Sequence, residues 1–289
     1  MGNNILIGTS GWGYDEWVGT FYPKSLKKED FLVYYSEIFY TNEINTTFYH
    51  MPSYWTVKNW VNKTPNNFLF SVKLPQSITH KSKLSLEHCS DDLSKFLKLM
   101  TPFVESKKLL SLLIQLPPSF KKESHFDLLK DFIDNWPTNP KEDGYYLSIE
   151  FRHNSWMEDE VFDFLKKEQL VYCGVIEPLL PPRMDVTNDD FAYIRFHGYG
   201  EKPWFDYLFS DQEIQQWAQS ILKIIPKVKK IGIYFNNHYS GYAVKNSLML
   251  MKALGVNPKN DPNKVSILDV KKKSGVYSKN QTSLKNFLT

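Results

Sequence analysis

Apolar runs of strand length alternate with amphipathic segments of helical period along most of the chain. The runs are rich in β-branched and aromatic residues and predict eight strands, at 4–10, 41–48, 68–74, 109–116, 145–151, 170–176, 191–198 and 230–237. Between most of them lie segments with one apolar face, such as DDLSKFLKLM, FDLLKDFIDNW, EVFDFLKKE and DQEIQQWAQSILKII, and the last strong helix covers YAVKNSLMLMKAL. The connection EPLLPPRMDVTNDD between strands six and seven contains three prolines and is predicted to be a loop.

Eight strand–helix units in about 250 residues have the size of a (β/α)8 barrel, the TIM-type α/β fold. No linker divides the body, so the sequence predicts a single barrel domain over 1–254. The remaining 255–289 are predicted to form a basic tail, with seven lysines and two aspartates in a chain whose net charge is only +3. A basic tail beside a nearly neutral body indicates an anionic partner near the tail, or serves solubility alone.

Hydropathy and cysteine content bear on where the protein works. There is no apolar run of about 18 residues or more, so we expect no membrane span. The N-terminal MGNNILIGTSGWG lacks the basic-then-apolar layout of a secretory signal. Cys89 and Cys173 make no disulfide framework, and no C-x-x-C pair is present. We therefore expect a cytoplasmic protein, with association with the nucleoid left open.

Polar side chains gather at the carboxyl ends of the predicted strands, where the catalytic groups of such barrels lie. Most come in pairs two residues apart, which places both members on one face of a strand. The pairs are Glu43 with Asn45, Glu150 with Arg152, Arg195 with His197 and Asn236 with His238, while Lys73 and Gln115 end strands three and four singly. We expect them to line one concave site at the barrel mouth. The alternative is a polar plug in which they only satisfy one another.

Seven segments, in order along the chain, carry a resemblance to a known family: IGTSGWGYDEWVGTFYP, TNEINTTFYHMPS, FSVKLPQSITH, LIQLPPSF, IEFRHNSW, YIRFHG and YFNNHYSGYAVKNS. Over roughly residues 4–253 the chain resembles the domain-of-unknown-function family 72, also called YecE-like. The resemblance implies a TIM-type barrel, in agreement with the strand count, but no settled activity. The sixth strand departs from the family pattern, because Gly174 and Glu177 stand where relatives tend to have an aspartate. A role for an acid on that strand stays open.

The predicted mouth combines three cations with two acids and several amides. Arginine forks and a lysine suit phosphate or carboxylate oxygens, and a carboxylate held among them can act as a general base. We predict the catalytic set Glu43, Lys73, Glu150, Arg152, Arg195 and His197, and substrate binding by Trp12, Tyr14, Asn45, Gln115, Trp156, Asn236, Asn237 and His238. The three aromatic residues of the second set follow strands one and five, where they could stack on a base or sugar or else pack the rim.

The sequence predicts no metal site. It has no H-E-x-x-H motif and no spaced aspartates, and cations crowd the same mouth. A strand-end histidine is more often a hydrogen-bonded partner than a metal ligand. His197 and His238 could still join the two glutamates around a divalent ion, so the cofactor stays unknown.

The last nine residues, QTSLKNFLT, resemble the peptide by which replication and repair proteins dock on PCNA-type sliding clamps. Leu284, Phe287 and Leu288 stand at i, i+3 and i+4, so one helical turn gathers them on one side, and Gln281 precedes Leu284 by three residues. The resemblance implies that Gln281 enters a polar pocket of the clamp while the apolar side chains fill a hydrophobic one. Leu288 departs from the usual second aromatic residue, which weakens such binding. The alternative is that these residues fold back onto the barrel.

Three classes of function follow from these observations. The first is a clamp-recruited protein of DNA metabolism, such as a repair nuclease or phosphodiesterase, with the clamp and DNA as partners. The second is a small-molecule enzyme, such as a sugar or sugar-phosphate hydrolase or isomerase, that uses Glu43 and Glu150 as its two carboxylates. The third is a ligand-binding barrel without catalytic activity.

Overall fold

The computed structural model describes residues 4–201 and 203–275 of the chain. Its eight parallel strands are β1 (Ile5–Thr9), β2 (Thr41–Ile44), β3 (Leu69–Lys73), β4 (Leu109–Gln115), β5 (Tyr146–Glu150), β6 (Val171–Ile176), β7 (Phe191–Phe196) and β8 (Lys230–Phe235). They are hydrogen-bonded in the order β1-β8-β7-β6-β5-β4-β3-β2. The bridge between Ser10 and Glu43 brings the two end strands together, so the sheet is a nearly closed barrel. The predicted TIM-type α/β fold is confirmed.

Helices surround the barrel and connect its strands. They are α1 (Phe31–Ser36), α2 (Thr46–Tyr49), α3 (Tyr54–Asn62), α4 (Leu86–Glu105), α5 (Lys122–Asp134), α6 (Pro140–Asp143), α7 (Asp159–Lys167), α8 (Asp211–Leu222) and α9 (Tyr242–Ala253). The longer ones bury one apolar face against the sheet, as α7 does with Val161, Phe162 and Leu165. The connection from β6 to β7 contains no helix, as its prolines predicted.

Side chains alternate along each strand between the helix-packed outside and the barrel interior. A small apolar cluster fills the lower interior and includes Leu6, Val171, Phe191, Tyr193 and Tyr234. The next inward positions toward the carboxyl ends are polar, because two residues separate side chains on one face of a strand. The apolar plug therefore supports a layer of charged groups at the mouth.

The second strand is shorter than predicted. It ends at Ile44, and the β-branched pair Thr46 and Thr47 begins the helical turn α2 instead of continuing the strand. Thr47 Oγ1 explains the difference, since it donates to the Lys73 carbonyl at 2.6 Å and so anchors the turn against β3. This anchoring also brings Phe48 of the same turn over the Lys73 side chain.

The described part of the predicted tail lies against the base of the barrel. Val256 and Val270 are buried, and the Lys259 amide donates to the Ile38 carbonyl at 2.9 Å. A helical segment covers 267–275. The predicted clamp-binding residues Gln281, Leu284, Phe287 and Leu288 lie outside the described residues. Within 4–201 and 203–275, no helix is long and apolar enough to cross a membrane.

Candidate active site at the barrel mouth

Arg195 lies between two glutamates that come from distant parts of the chain. From β7 its guanidinium donates through Nε and Nη2 to the two carboxylate oxygens of Glu43, at 2.8 Å each. Through Nη1 it also donates to Glu150 Oε2. All three side chains are almost completely buried. The arginine thus joins β2, β5 and β7 across the barrel axis.

Every oxygen of the Glu43 carboxylate is occupied. Besides the two bonds from Arg195, Ser10 Oγ donates to Oε1 at 2.5 Å and the Tyr193 hydroxyl donates to Oε2 at 2.6 Å. Four donors fill the lone pairs that a carboxylate offers. Glu43 therefore has no acceptor capacity left for a metal or a substrate, and its evident task is to hold Arg195.

A second arginine extends the network toward the opening. Arg152 donates to Glu150 Oε1 and, through Nη1, to Glu177 Oε2. Burial by itself would raise the pKa of Glu150, but Arg152 and Arg195 outweigh it and hold that pKa well below its usual range. For Glu177, burial prevails over the pull of Arg152 and raises the pKa of the carboxyl.

Sequence reasoning left Glu177 undecided, although it is part of the mouth. It follows the last residue of β6, so the same strand-end rule that selected Arg152 and His197 applies to it. Its Oε2 is held by Arg152, whereas its buried Oε1 has no hydrogen-bond partner among the described residues. Such an oxygen is available to a ligand or a water molecule.

His197 is held as a neutral imidazole. Its Nε2 lies 2.9 Å from Arg152 Nη2 and 3.3 Å from Arg195 Nη1, and because guanidinium groups only donate, Nε2 must accept. Burial, together with Arg152 and Arg195, lowers the pKa of His197 to about 3. The proton is then on Nδ1, 3.0 Å from the side-chain amide of Asn236, which must turn its oxygen toward the ring.

Lys73 differs from the other cations at the mouth. Both arginines form ion pairs, whereas Lys73 has none among the described residues. Its Nζ instead lies 3.8 Å from the centroid of the Phe48 ring. Burial, followed by the charge of Arg195, lowers the pKa of Lys73 to about 7. Near neutral pH, a large share of these amines therefore carries a free lone pair.

A π-helical turn, Ser77–Lys81, follows β3 and lies against the Phe48 ring. His80 on this turn meets the Phe48 ring edge-on, with centroids 4.8 Å apart. Burial, and next the charge of Lys73, lowers the pKa of His80 to about 4, so its imidazole is neutral. His80 was not among the predicted site residues, because it lies seven positions beyond the end of β3 and the prediction considered only strand ends.

Most of the remaining predicted residues lie around this centre. The side-chain amides of Asn45 and Asn236 lie 3.3 Å apart, and the Tyr14 ring stacks on His238 at 4.6 Å between centroids. His238 stands at the rim, where its Nδ1 is 3.3 Å from Glu16. Gln115 is almost buried and donates to the neighbouring Leu116 carbonyl, while Trp12 packs edge-on against Trp60 and Phe70.

Two residues predicted to bind substrate do not face the mouth. Trp156 is fully buried, with its ring stacked on Phe151 and its Nε1 donating to the Phe120 carbonyl, so neither ring face can reach a ligand. Asn237 is also fully buried and donates to the carbonyl of Tyr207 and to Asn246. The reason is that successive side chains of an extended chain point to opposite sides, so Asn237 turns outward where Asn236 turns inward.

Within the described ranges, no three His, Cys, Asp or Glu side chains are arranged to hold a metal ion. A cleft of about 840 Å³ lies outside the barrel, between α9 and the segment 255–263. The charged residues that line it are Lys245 and Lys252, without the acids and histidines of the mouth. The mouth is therefore the better candidate for an active site.

Comparison with known proteins agrees with this fold. The profile described as "Protein of unknown function DUF72" matches residues 6–266, which is most of the chain. The chain belongs to the DUF72 family. A solved DUF72 structure from Thermotoga maritima superposes with a TM-score of 0.79 at 33% identity and covers 87% of this chain and 99% of its own. One from Enterococcus faecalis gives 0.73 at 26% identity, with 88% and 98% covered.

Curated relatives of this DUF72 protein carry names that record no activity. The UPF0759 protein YunF of Bacillus subtilis is 26% identical, covering 87% of this chain and 95% of its own. The UPF0759 protein YecE of Escherichia coli K12 is 30% identical over about half of either chain, 52% and 48%. The comparisons thus assign the chain to a family and name no reaction for it.

Proposed function

We propose that this DUF72 protein acts in DNA metabolism, where the mouth of its barrel binds and hydrolyses phosphodiesters and its C-terminal peptide docks on a PCNA-type sliding clamp. The observation that carries the first part is the unpaired amine of Lys73 beside a network in which every acid already has an arginine partner.

The charges at the mouth favour an anionic ligand. Glu43 and Glu150 are held by Arg195, and Glu177 is held by Arg152, so each carboxylate of this network already has an arginine as its cation. Lys73 is left without an anionic partner, and its desolvation makes a ligand phosphate an especially favourable one. The charge of Arg152, which also helps to lower the pKa of Lys73, adds to the positive potential that a phosphate would meet there.

The same amine can supply the base for hydrolysis. With its pKa lowered to about 7, Lys73 is able to take a proton from water as the water oxygen attacks phosphorus. The bond to the leaving oxygen then breaks on the opposite side of phosphorus, solvent supplies the proton to that oxygen, and the lysine ammonium later gives its proton to solvent. Glu150 takes part as a positioning residue, because it orients both Arg152 and Arg195.

A cleavage assay tests this proposal at the mouth. Single- and double-stranded DNA, incubated with and without divalent metal, should be cut by the wild type and not by Glu150→Gln. Glu105→Gln is the matched control, because it makes the same chemical change on the exposed end of α4. Equal activity of wild type and Glu150→Gln would trace the cleavage to a contaminant or to another site.

The clamp interaction rests on the terminal peptide. Gln281, Leu284, Phe287 and Leu288 follow a lysine-rich stretch that can serve as a tether, and docking there would place the protein on DNA. Calorimetry of a 279–289 peptide against a PCNA-type clamp should show binding that Phe287→Ala removes. Equal affinity of the two peptides, or no heat from either, would contradict the interaction.

The small-molecule alternative is less well supported. A hydrolase with two catalytic carboxylates needs one of them free to activate water or to attack the sugar, and it needs the other to donate a proton. Here Glu43 already accepts four hydrogen bonds and Glu150 is bound by two arginines. A ligand-binding barrel without catalysis is the outcome if DNA binds at the mouth but is never cut.

A further inference from the structure

Lys73 has the surroundings of a nucleophile as well as those of a base. Its amine lies over the Phe48 ring at 3.8 Å from the centroid and has no ion pair within the described ranges. The other two amines with strongly lowered pKa, Lys108 and Lys259, are each bound to backbone carbonyls. A lone pair on Lys73 is therefore free to attack, whereas the other two amines are engaged as donors.

We propose that Lys73 Nζ forms a Schiff base with the aldehyde of an open-chain phosphorylated sugar. The proposal rests on the proposed function in one respect, which is the binding of a phosphate group at the mouth. It adds a second reaction there, in which the attacking atom belongs to the protein and not to water.

The step balances without any further reactant. The Nζ lone pair forms a bond to the aldehyde carbon, the carbonyl π electrons move to oxygen, and a proton passes from nitrogen to that oxygen. The resulting carbinolamine takes up a second proton, from solvent, and loses its hydroxyl group as water. The product is a protonated imine with its positive charge shared between nitrogen and carbon.

The surroundings of Lys73 suit each stage of this reaction. Burial and the charge of Arg195 keep much of the amine unprotonated near neutral pH, as nucleophilic attack requires. The face of the Phe48 ring, already in contact with Nζ, stabilises the iminium cation that follows. The neutral imidazole of His80, which meets the same ring edge-on, can take up and return a proton.

An abasic deoxyribose in DNA is one source of such an aldehyde, and a free sugar phosphate is another. In DNA the imine has a further consequence. A base removes the proton from the carbon next to the iminium carbon, the electron pair forms a carbon–carbon double bond, and the bond to the 3′ oxygen breaks with the phosphate as leaving group. The strand is then cut by elimination, and water releases the lysine.

Reduction with borohydride traps the imine and tests the proposal. The full-length protein is incubated in separate reactions with duplex DNA containing one abasic site and with ribose 5-phosphate, and sodium borohydride is added to each. A stable adduct is expected in which the protein gains the mass of the substrate less one oxygen atom. Trypsin does not cut after an alkylated lysine, so the label should appear on a peptide covering 64–81.

Three variants make the test specific. Lys73→Met should give no adduct, and Lys73→Arg should still bind DNA in an anisotropy assay but give no adduct, because a guanidinium keeps the charge and lacks the nucleophile. Lys259→Met is the matched control. That lysine also lies over aromatic rings, Tyr40 and Phe68, with a lowered pKa, but at the opposite end of the barrel.

An adduct confined to Lys73 supports the proposal, and the substrate that gives it identifies the source of the aldehyde. An adduct that persists in Lys73→Met, or that is lost equally in Lys259→Met, overturns it. If the wild type binds and hydrolyses DNA but traps neither substrate, the Schiff base is refuted while the proposed function stands. If adducts form and intact DNA is never hydrolysed, the hydrolase is refuted instead.

Discussion

Replacing Arg195 by methionine should separate the two buried glutamates from the cation that joins them. Arg195 is 1% exposed, and Glu43 and Glu150 are completely buried. The variant keeps a side chain of comparable length but removes the cation that bonds to both carboxylates, and the other arginine of the mouth, Arg152, bonds to Glu150 and not to Glu43. We expect one of the two carboxylates then to take up a proton in the folded protein.

The expected loss of stability is large. Removing one partner of a buried ion pair costs about 3–5 kcal/mol, because an uncompensated charge remains inside the protein. For a domain of this size each kcal/mol lowers the melting temperature by roughly 2–4 °C, so the variant should melt on the order of 10 °C below the wild type. Arg183→Met is the matched control, since Arg183 forms a partly exposed pair with Asp185 that is worth at most about 1 kcal/mol.

The loss should also depend on pH. In the wild type the pKa of Glu150 is depressed, so the stability it contributes is present above its unfolded pKa and is lost as the pH falls through the folded one. In the variant the raised pKa of the protonating carboxyl works in the opposite direction, and stability increases as the pH falls. The gap between variant and wild type should therefore be wider at about pH 8 than at about pH 5.

Thermal unfolding followed by circular dichroism at both pH values measures this gap. The double variant Glu43→Gln with Arg195→Met should regain part of the lost stability, because it removes one of the two opposed charges. A loss no larger than that of Arg183→Met, or one that is the same at both pH values, would refute the account of Arg195 as the cation that neutralises the interior.

Other variants test single residues. Lys73 titrates at about 7 when folded, so wild-type stability should rise with pH between that value and its unfolded pKa, and Lys73→Met should lack this rise in urea titrations at several pH values. Trp156→Ala should cost about 3–5 kcal/mol of unfolding free energy and leave DNA affinity unchanged, since the ring is buried away from the mouth. Asn237→Ala should lower the unfolding free energy by about 1–3 kcal/mol, because the Tyr207 carbonyl and Asn246 lose their donor, and should also leave DNA affinity unchanged. Weaker DNA binding by either variant would contradict its position away from the mouth.

The sequence by itself determined the barrel and the height of its charged layer. Apolar strand-length runs separated by amphipathic helices specify eight βα units, and the period of two along a strand puts Arg195 and His197 on the same inward face. The same local rule could have selected Glu177, which follows β6. It could not extend β2 correctly, because the turn at Thr47 is fixed by a hydrogen bond to the distant β3.

Only the tertiary structure decided which of these groups are paired and which is free. Glu43, Glu150 and Arg195 come from three strands, and their contacts depend on the barrel closing around them. Spacing along one strand says nothing about the strand opposite, so the sequence could not distinguish Lys73 from the other two predicted cations of the mouth. The structure shows it as the cation without an acid, set over the ring of Phe48 by a turn that no local pattern predicts.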